Sequence, residues 1–95
     1  MFIIAGELRV DPSDRDRYLD AVAAVAPLAR ATAGCLDFVQ AADPVEADRI
    51  NVYERWESDE ALLAFRSLPG DPGAGMPPLR SADVRKYRIS SVEEP

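Results

Sequence analysis

Glu54 and Trp56 are two chemically capable side chains that lie two residues apart in one alternating segment. The alternation of apolar and polar residues from 49 to 57 predicts a β-strand, in which residues two apart share a face. A carboxylate on a buried face is unfavourable unless it is paired or used, and burial raises its pKa toward that of a general base. An indole offers a flat apolar surface to a planar molecule. We therefore interpret Glu54 and Trp56 as candidate catalytic residues. Glu54 would act as a general base, and the Trp56 ring would stack against a planar substrate.

Both residues also have a purely structural interpretation. Trp56 is equally well explained as a large core side chain that keeps its N–H at an edge. Glu54 is explained by a salt bridge to an arginine of the last predicted strand, Arg85 or Arg88. The interpretations differ in whether the Glu54 carboxylate has a cationic partner, and the sequence leaves both open.

Five further residues are expected to bind a substrate in the same space. Tyr18 and Tyr87 are candidates to point inward and orient a phenolic molecule, although tyrosine is also common in protein cores. The other three are apolar residues of the same strand and of the helix that follows it, Val52, Leu62 and Phe65.

The residue types that are missing exclude several kinds of chemistry. The chain has no His and one Cys, which leaves no ligand cluster for zinc or redox iron. Its glycines between residues 70 and 75 are interleaved with Pro and follow a predicted helix, unlike a dinucleotide-binding loop. Cys35 follows a helix C-terminus, whose partial negative charge disfavours a thiolate. We therefore expect no metal, no cofactor and no cysteine nucleophile.

Strands and helices follow the order β-α-β-β-α-β. Apolar or alternating segments predict strands at residues 2–10, 35–41, 49–57 and 84–90. Apolar residues at three- and four-residue spacing predict helices after Asp11 and after Ser58, both of which can cap a helix. Pro27 should kink the first helix and Gly34 should end it. Residues 69–83 hold most of the Pro and Gly and predict a long loop.

Alternation also assigns faces within the second strand. It places Leu36 and Phe38 on one face and Cys35, Val39 and Ala41 on the other. Both faces are apolar enough to be at least half buried. Since the helices of one chain cover a single face, the other face is expected to meet a partner.

The element order predicts a ferredoxin-like α+β fold, a four-stranded antiparallel sheet with both helices on one face. The sequence also resembles the antibiotic biosynthesis monooxygenase domain family over residues 2–68. The matching features are Pro27 followed by Gly34-Cys35, the aromatic Phe38, and above all one continuous run. That run is Tyr53-Glu54-Arg55-Trp56-Glu57 leading into Ser58-Asp59-Glu60-Ala61-Leu62.

The resemblance implies a dimeric α+β barrel, so we expect a homodimer with a pocket between each sheet and its helices. It places a Trp of the family at Trp56. Members that oxidise polyketides carry an amide on the same strand face, where this chain offers Val52 and Glu54. Members that degrade haem hold iron through a His, which this chain lacks. The family includes oxygenases that use no flavin or metal, haem-degrading enzymes and isomerase-like relatives, so the resemblance does not choose among these activities, although the missing His disfavours haem degradation.

The composition predicts one soluble domain over residues 1–95, since 47% of the residues are hydrophobic and 29% are charged. A formal charge of −6 disfavours nucleic acid and anionic membranes as partners. Without a membrane-spanning run or signal-peptide features, the expected location is cytoplasmic. Two functions fit: a cofactor-independent monooxygenase of an electron-rich aromatic such as a quinol, phenol or anthrone, or a non-catalytic dimeric domain that binds small molecules or serves as a scaffold.

Overall fold

The computed structural model describes residues 1–68 and 76–95, which form four β-strands and three α-helices. A 3-10 turn, Pro12–Asp14, precedes the first helix. The elements are β1 (Phe2–Arg9), α1 (Arg15–Val22), α2 (Val25–Arg30), β2 (Cys35–Ala42), β3 (Arg49–Trp56), α3 (Asp59–Arg66) and β4 (Ser81–Arg88). No helix within the two described ranges is long and apolar enough to cross a membrane.

The four strands form one sheet in the order β2-β3-β1-β4, and every neighbouring pair is antiparallel. Buried residues of the helices pack on the face that carries Phe2, Ile4 and Trp56. We call this face the helix-facing side and the other face the open side. The predicted ferredoxin-like α+β fold is confirmed, since the sheet is four-stranded and antiparallel with the helices on one face.

Local sequence signals set the helix boundaries. The Asp11 carboxylate accepts a hydrogen bond from the backbone N–H of Ser13 at 3.0 Å, just before α1. Ser58 Oγ accepts one from the backbone N–H of Ala61 at 3.2 Å and so caps α3. The predicted kink is a full break between α1 and α2, four residues before Pro27. A proline has no N–H for the carbonyl four residues earlier, and its ring crowds that carbonyl.

The core of the described residues consists of two apolar clusters on the helix-facing side. The first cluster joins the sheet to α2 and α3 and contains Phe2, Ile4, Ala29, Phe38, Trp56 and Leu62. The second joins the sheet to α1 and contains Leu8, Val10, Tyr18, Val22, Ile50 and Val52. Val25, the first residue of α2, packs against both clusters. The boundary between the clusters, which we call the seam, therefore lies under the break between α1 and α2.

Two sequence predictions need correction. Cys35 lies opposite Trp56 and packs against the first cluster, so it is on the helix-facing side with Phe38 and not on the opposite face. The reason is a β-bulge between Cys35 and Asp37, which inserts one residue and shifts the alternation. The predicted loop 69–83 is also too long at its end, because residues 81–83 already belong to β4. Residues 69–75 of that loop lie outside the described residues.

Candidate active site

Cross-strand pairing arranges the helix-facing side in rows of four residues, one from each strand. One row, the Glu54 row, runs Phe38, Glu54, Ile4 and Lys86 across β2, β3, β1 and β4. The next row, the Gln40 row, runs Gln40, Val52, Gly6 and Val84. The Glu54 row contributes to the first apolar cluster and the Gln40 row to the second. The seam therefore passes between these two rows, where the sheet presents a carboxylate and an amide.

Gly6 leaves the centre of the Gln40 row without a side chain. A Cβ at this position would lie 2.0 Å from the carbonyl oxygen of Asp83 and 2.7 Å from the Cα of Val84. Only glycine permits β4 to approach β1 this closely. The sheet surface beside Glu54 is consequently bare backbone at this point.

The Glu54 carboxylate is half-buried on this apolar face and is held by one hydrogen bond. Trp56 Nε1 donates to Glu54 Oε1 at 3.1 Å. Burial raises the pKa of Glu54, while the hydrogen bond from Trp56 and the positive charge of Arg66 on α3 act in the opposite direction. Because burial is the largest of these effects, the carboxyl takes up a proton more readily than an exposed glutamate would.

The arginines considered as salt-bridge partners of Glu54 have other partners. Arg88 pairs with Asp59 at 2.8 Å, and Arg85 pairs with Asp83 at 3.2 Å. Within residues 1–68 and 76–95, Glu54 forms no salt bridge. The ion-pair interpretation with Arg85 or Arg88 is therefore wrong, and the hydrogen-bond donor that the described residues offer the carboxylate is the Trp56 N–H.

Trp56 is fully enclosed, with 0% of its surface exposed. Its ring packs on Phe65 with centroids 5.5 Å apart, and Phe65 in turn packs on Phe38 at 6.1 Å. Trp56 is therefore packed as a core side chain, and its N–H orients the Glu54 carboxylate.

The structure brings together four of the five predicted substrate-binding residues on the helix-facing side. Leu62 and Phe65 of α3 lie with Trp56 in the first cluster. Val52 and Tyr18 belong to the second, where burial raises the pKa of the Tyr18 hydroxyl. Tyr87 is the exception: it pairs with Ile3, lies on the open side and is 53% exposed. The prediction that Tyr87 points into the site is wrong, because the true register of β4 places it on the other face.

The sequence-based prediction missed Gln40. This residue of β2 lies on the helix-facing side opposite Val52, and its Oε1 atom is buried without a hydrogen-bond partner in the described part of the chain. Its alternation with Phe38 was the available signal, since residues two apart on a strand share a face. A single polar residue on an edge strand is common, so the sequence gave no reason to single out Gln40 as a site residue.

Cys35 lies in the same region but is poorly suited to be a nucleophile. Burial raises the pKa of its thiol, and the negative charge of Glu54 raises it further. The Sγ atom donates a long hydrogen bond, 3.5 Å, to the carbonyl oxygen of Asp37. A protonated thiol of this kind packs as a small apolar side chain. Nowhere in the described ranges do three or more His, Cys, Asp or Glu residues cluster suitably for a metal ion.

Solved structures with the same fold come from several bacteria. A protein of Deinococcus radiodurans, provisionally assigned as an antibiotic biosynthesis monooxygenase, is 18% identical with a TM-score of 0.82, over 99% of this chain and 97% of that one. One of Chloroflexus aurantiacus with the same provisional assignment is 29% identical with a TM-score of 0.74, over 97% and 96% of the two chains. The haem-degrader MhuD of Mycobacterium tuberculosis, solved with two haems in its active site, is 20% identical with a TM-score of 0.69, over 99% and 100%.

Sequence comparison identifies the family. No curated protein matches the chain significantly. The family model described as antibiotic biosynthesis monooxygenase matches residues 1–70, which include β1 to β3, all three helices and both Glu54 and Trp56. The chain belongs to the antibiotic biosynthesis monooxygenase family.

Proposed function

We propose that this protein is a cofactor-independent monooxygenase that oxidises an electron-rich aromatic such as a quinol, a phenol or an anthrone-type polyketide intermediate. The observation that carries the proposal is Glu54. Its carboxylate has no salt bridge among the described residues, is oriented by Trp56 at 3.1 Å, and has a pKa raised by burial. Those are the properties of a general base in a largely apolar site.

The proposed reaction begins with removal of one proton from an acidic CH₂ or hydroxyl group by the Glu54 carboxylate. For an anthrone-type CH₂, the resulting enolate gives one electron to O₂, and the two radicals combine to form a C–O bond. The hydroperoxide takes the proton back from Glu54 and then loses water to leave a carbonyl. One oxygen atom enters the product and the other leaves as water, so CH₂ and O₂ become C=O and H₂O without an external reductant.

The residues around Glu54 have separate roles in this proposal. The Trp56 N–H fixes the carboxylate, and Phe65 offers a partly exposed aromatic surface against which a planar substrate can pack. Leu62, Val52 and Tyr18 complete the apolar walls. Such surroundings exclude water and favour the delocalised anion over a hydrated one.

We also propose that the active form is a homodimer in the cytoplasm. The open side exposes part of several apolar and aromatic side chains, among them Ile3, Val39, Tyr53 and Tyr87, which a second sheet would cover. Light scattering at micromolar concentration should return twice the monomer mass, and a clean monomer would contradict the barrel arrangement. The cytoplasmic location is the expectation from the sequence carried forward as a proposal.

Oxygen uptake with a panel of quinols and anthrones tests the proposed reaction. The wild-type protein should consume about one O₂ per anthrone, and Glu54→Gln should reduce the rate by at least 100-fold because an amide cannot accept the proton. Glu60→Gln, an exposed position on α3, is the matched control and should keep the parental rate. Binding of these compounds without oxygen uptake would favour the alternative function, a non-catalytic dimeric small-molecule-binding or scaffold domain.

A further inference from the structure

Among the described residues, Gln40 and Arg55 each have a buried side-chain polar atom without a hydrogen-bond partner, and of the two Gln40 lies on the helix-facing side. Neither end of its amide makes a hydrogen bond within residues 1–68 and 76–95, and Oε1 is buried. Leaving a buried acceptor unpaired is costly, and native proteins rarely do so without a functional reason. An apolar side chain of the same length would pack here at lower cost.

The position of Gln40 connects it to Glu54. Gln40 pairs with Val52, and Phe38 pairs with Glu54, so the amide and the carboxylate are diagonal neighbours on adjacent strands. Side chains in that relation have Cα atoms about 7–8 Å apart, a span that one aromatic ring system bridges. Both residues lie on the helix-facing side in adjacent rows, and Gly6 contributes no side chain to the Gln40 row.

The two groups require the same kind of partner. Gln40 Oε1 is an acceptor, and an ionised Glu54 is also an acceptor. A single ligand satisfies both only if it carries two hydrogen-bond donors, one for each strand. A monophenol would satisfy Glu54 and leave the amide oxygen unpaired.

We propose that Gln40 is a specificity-determining residue of this site, whose Oε1 accepts a hydrogen bond from a second hydroxyl or N–H group of the ligand. This inference rests on the proposed function for the role of Glu54, but the amide contributes to binding and not to proton removal. The site then selects aromatic molecules with two donors on the edge that faces the sheet. The ligand completes the hydrogen bond of Gln40 Oε1 and so offsets the cost of burying that atom unpaired.

Isothermal titration calorimetry with two matched probes tests the inference without turnover. The probes are 1,5-dihydroxynaphthalene and its monomethyl ether, which differ only in that one donor is blocked. The wild-type protein should bind the diol about tenfold more tightly than the ether, the effect of one well-placed hydrogen bond. Gln40→Met keeps the length of the side chain without its acceptor and should bind both probes with equal affinity.

Two further measurements complete the test. Leu36→Met, an exposed position on the same strand, is the control and should keep the wild-type preference. Gln40→Met should melt at or above the wild-type temperature, because it removes an unpaired buried acceptor and breaks no internal hydrogen bond.

Several results would overturn the inference: equal binding of both probes by the wild-type protein, no binding of either, a preference that persists in Gln40→Met, or a marked loss of stability in that variant. The proposed function fails separately. If oxygen uptake is absent but the diol preference depends on Gln40, the role of Gln40 in binding stands and the monooxygenase proposal does not.

Discussion

Two carboxylates close in sequence, one on β3 and one in the turn before it, have opposite surroundings. Asp43, in the turn between β2 and β3, accepts hydrogen bonds from the backbone N–H groups of Glu46 and Val45 at 2.8 and 3.0 Å and from the side chain of Asn51 at 2.9 Å. These contacts, that of Glu46 first, lower its pKa to about 2. Glu54 receives one such bond, from Trp56, and burial raises its pKa.

The contrast extends to the charges around each group. Near Asp43, the guanidinium groups of Arg9 and Arg49 bridge Glu7 and Glu46, so that acids and bases of the open side form a closed network. On the helix-facing side, Arg66 influences Glu54 only through its charge. A carboxylate that is fully satisfied by donors supports the fold, whereas one that is desolvated and incompletely satisfied is available for proton transfer.

The largest expected effect concerns the packing behind Glu54. Replacing the fully buried Trp56 by Ala should cost about 3–5 kcal/mol of unfolding free energy, because it empties the centre of the first cluster. Leu63→Ala on the exposed face of α3 should cost less than about 0.5 kcal/mol. Urea unfolding measures both values, and a loss below about 1 kcal/mol for Trp56→Ala would contradict the packing described for the indole.

The next prediction concerns the acid limb of the pH profile. The rate should rise with pH as Glu54 loses its proton, with a midpoint above the ordinary value of 4.5 because burial raises this pKa. Trp56→Phe removes the hydrogen bond that stabilises the carboxylate, so the midpoint should move to higher pH. Phe65→Leu alters the aromatic packing but keeps the hydrogen bond from Trp56 to Glu54, so it should leave the midpoint nearly unchanged.

A titration of the Glu54 side-chain carbon by NMR follows the same pKa without relying on turnover. The titration midpoint should be highest in Trp56→Phe and nearly the same in the wild type and Phe65→Leu. A midpoint that Trp56→Phe leaves in place or moves to lower pH would mean that the indole N–H does not stabilise the ionised form.

Stability should respond to pH in opposite directions at the two sites. A raised folded-state pKa means that the contribution of Glu54 is fully present below its unfolded value and is lost as pH rises through the folded one. Glu54→Gln should therefore be more stable than the wild type at pH 7, with a difference that shrinks on acidification. A cationic partner would reverse this sign, since breaking a buried pair typically costs about 3–5 kcal/mol.

Asp43 should show the reverse behaviour. Its lowered pKa gives stability that is present above the ordinary value of 3.8 and is lost as pH falls toward about 2. Asp43→Asn should therefore melt below the wild type at pH 7, and the two curves should converge between pH 3.8 and 2. Thermal melts of the wild type and both variants across pH 2–7 measure these differences. If the melting temperatures of Asp43→Asn and Glu54→Gln, relative to the wild type, changed with pH in the same direction, the two carboxylates would not have opposite surroundings.

Local rules predicted the parts of the site that depend on one regular element. Glu54 and Trp56 share a face because β3 alternates without interruption. The helix breaks before Pro27 because a proline has no N–H to bond the carbonyl four residues earlier. Cys35 was assigned to the wrong face because a bulge changes the alternation without a residue signal of its own. A bulge is a property of strand pairing and is not visible in one strand.

The face of Tyr87 and the importance of Gln40 depended on neighbours that the sequence does not specify. Every residue of β4 is exposed in the described structure, so no hydrophobic pattern fixes which side faces the helices. Gln40 is significant only because Val52, Gly6 and Glu54 come beside it through pairing. The prediction of a single domain over residues 1–95 remains a prediction.

The smallest expected effect belongs to Arg66, which lowers the pKa of Glu54 through charge alone and less strongly than the Trp56 hydrogen bond does. Arg66→Gln should move the Glu54 midpoint to higher pH, but less far than Trp56→Phe. Because a charge interaction across solvent is screened, the wild-type midpoint should itself rise with added salt toward that of the variant, which should respond less. Arg17→Gln, an exposed arginine of α1 that pairs with Asp14, is the control and should leave the midpoint in place. A larger shift from Arg66→Gln than from Trp56→Phe would mean that Glu54 behaves like the paired carboxylates of the open side, and its assignment as a free base would then fail.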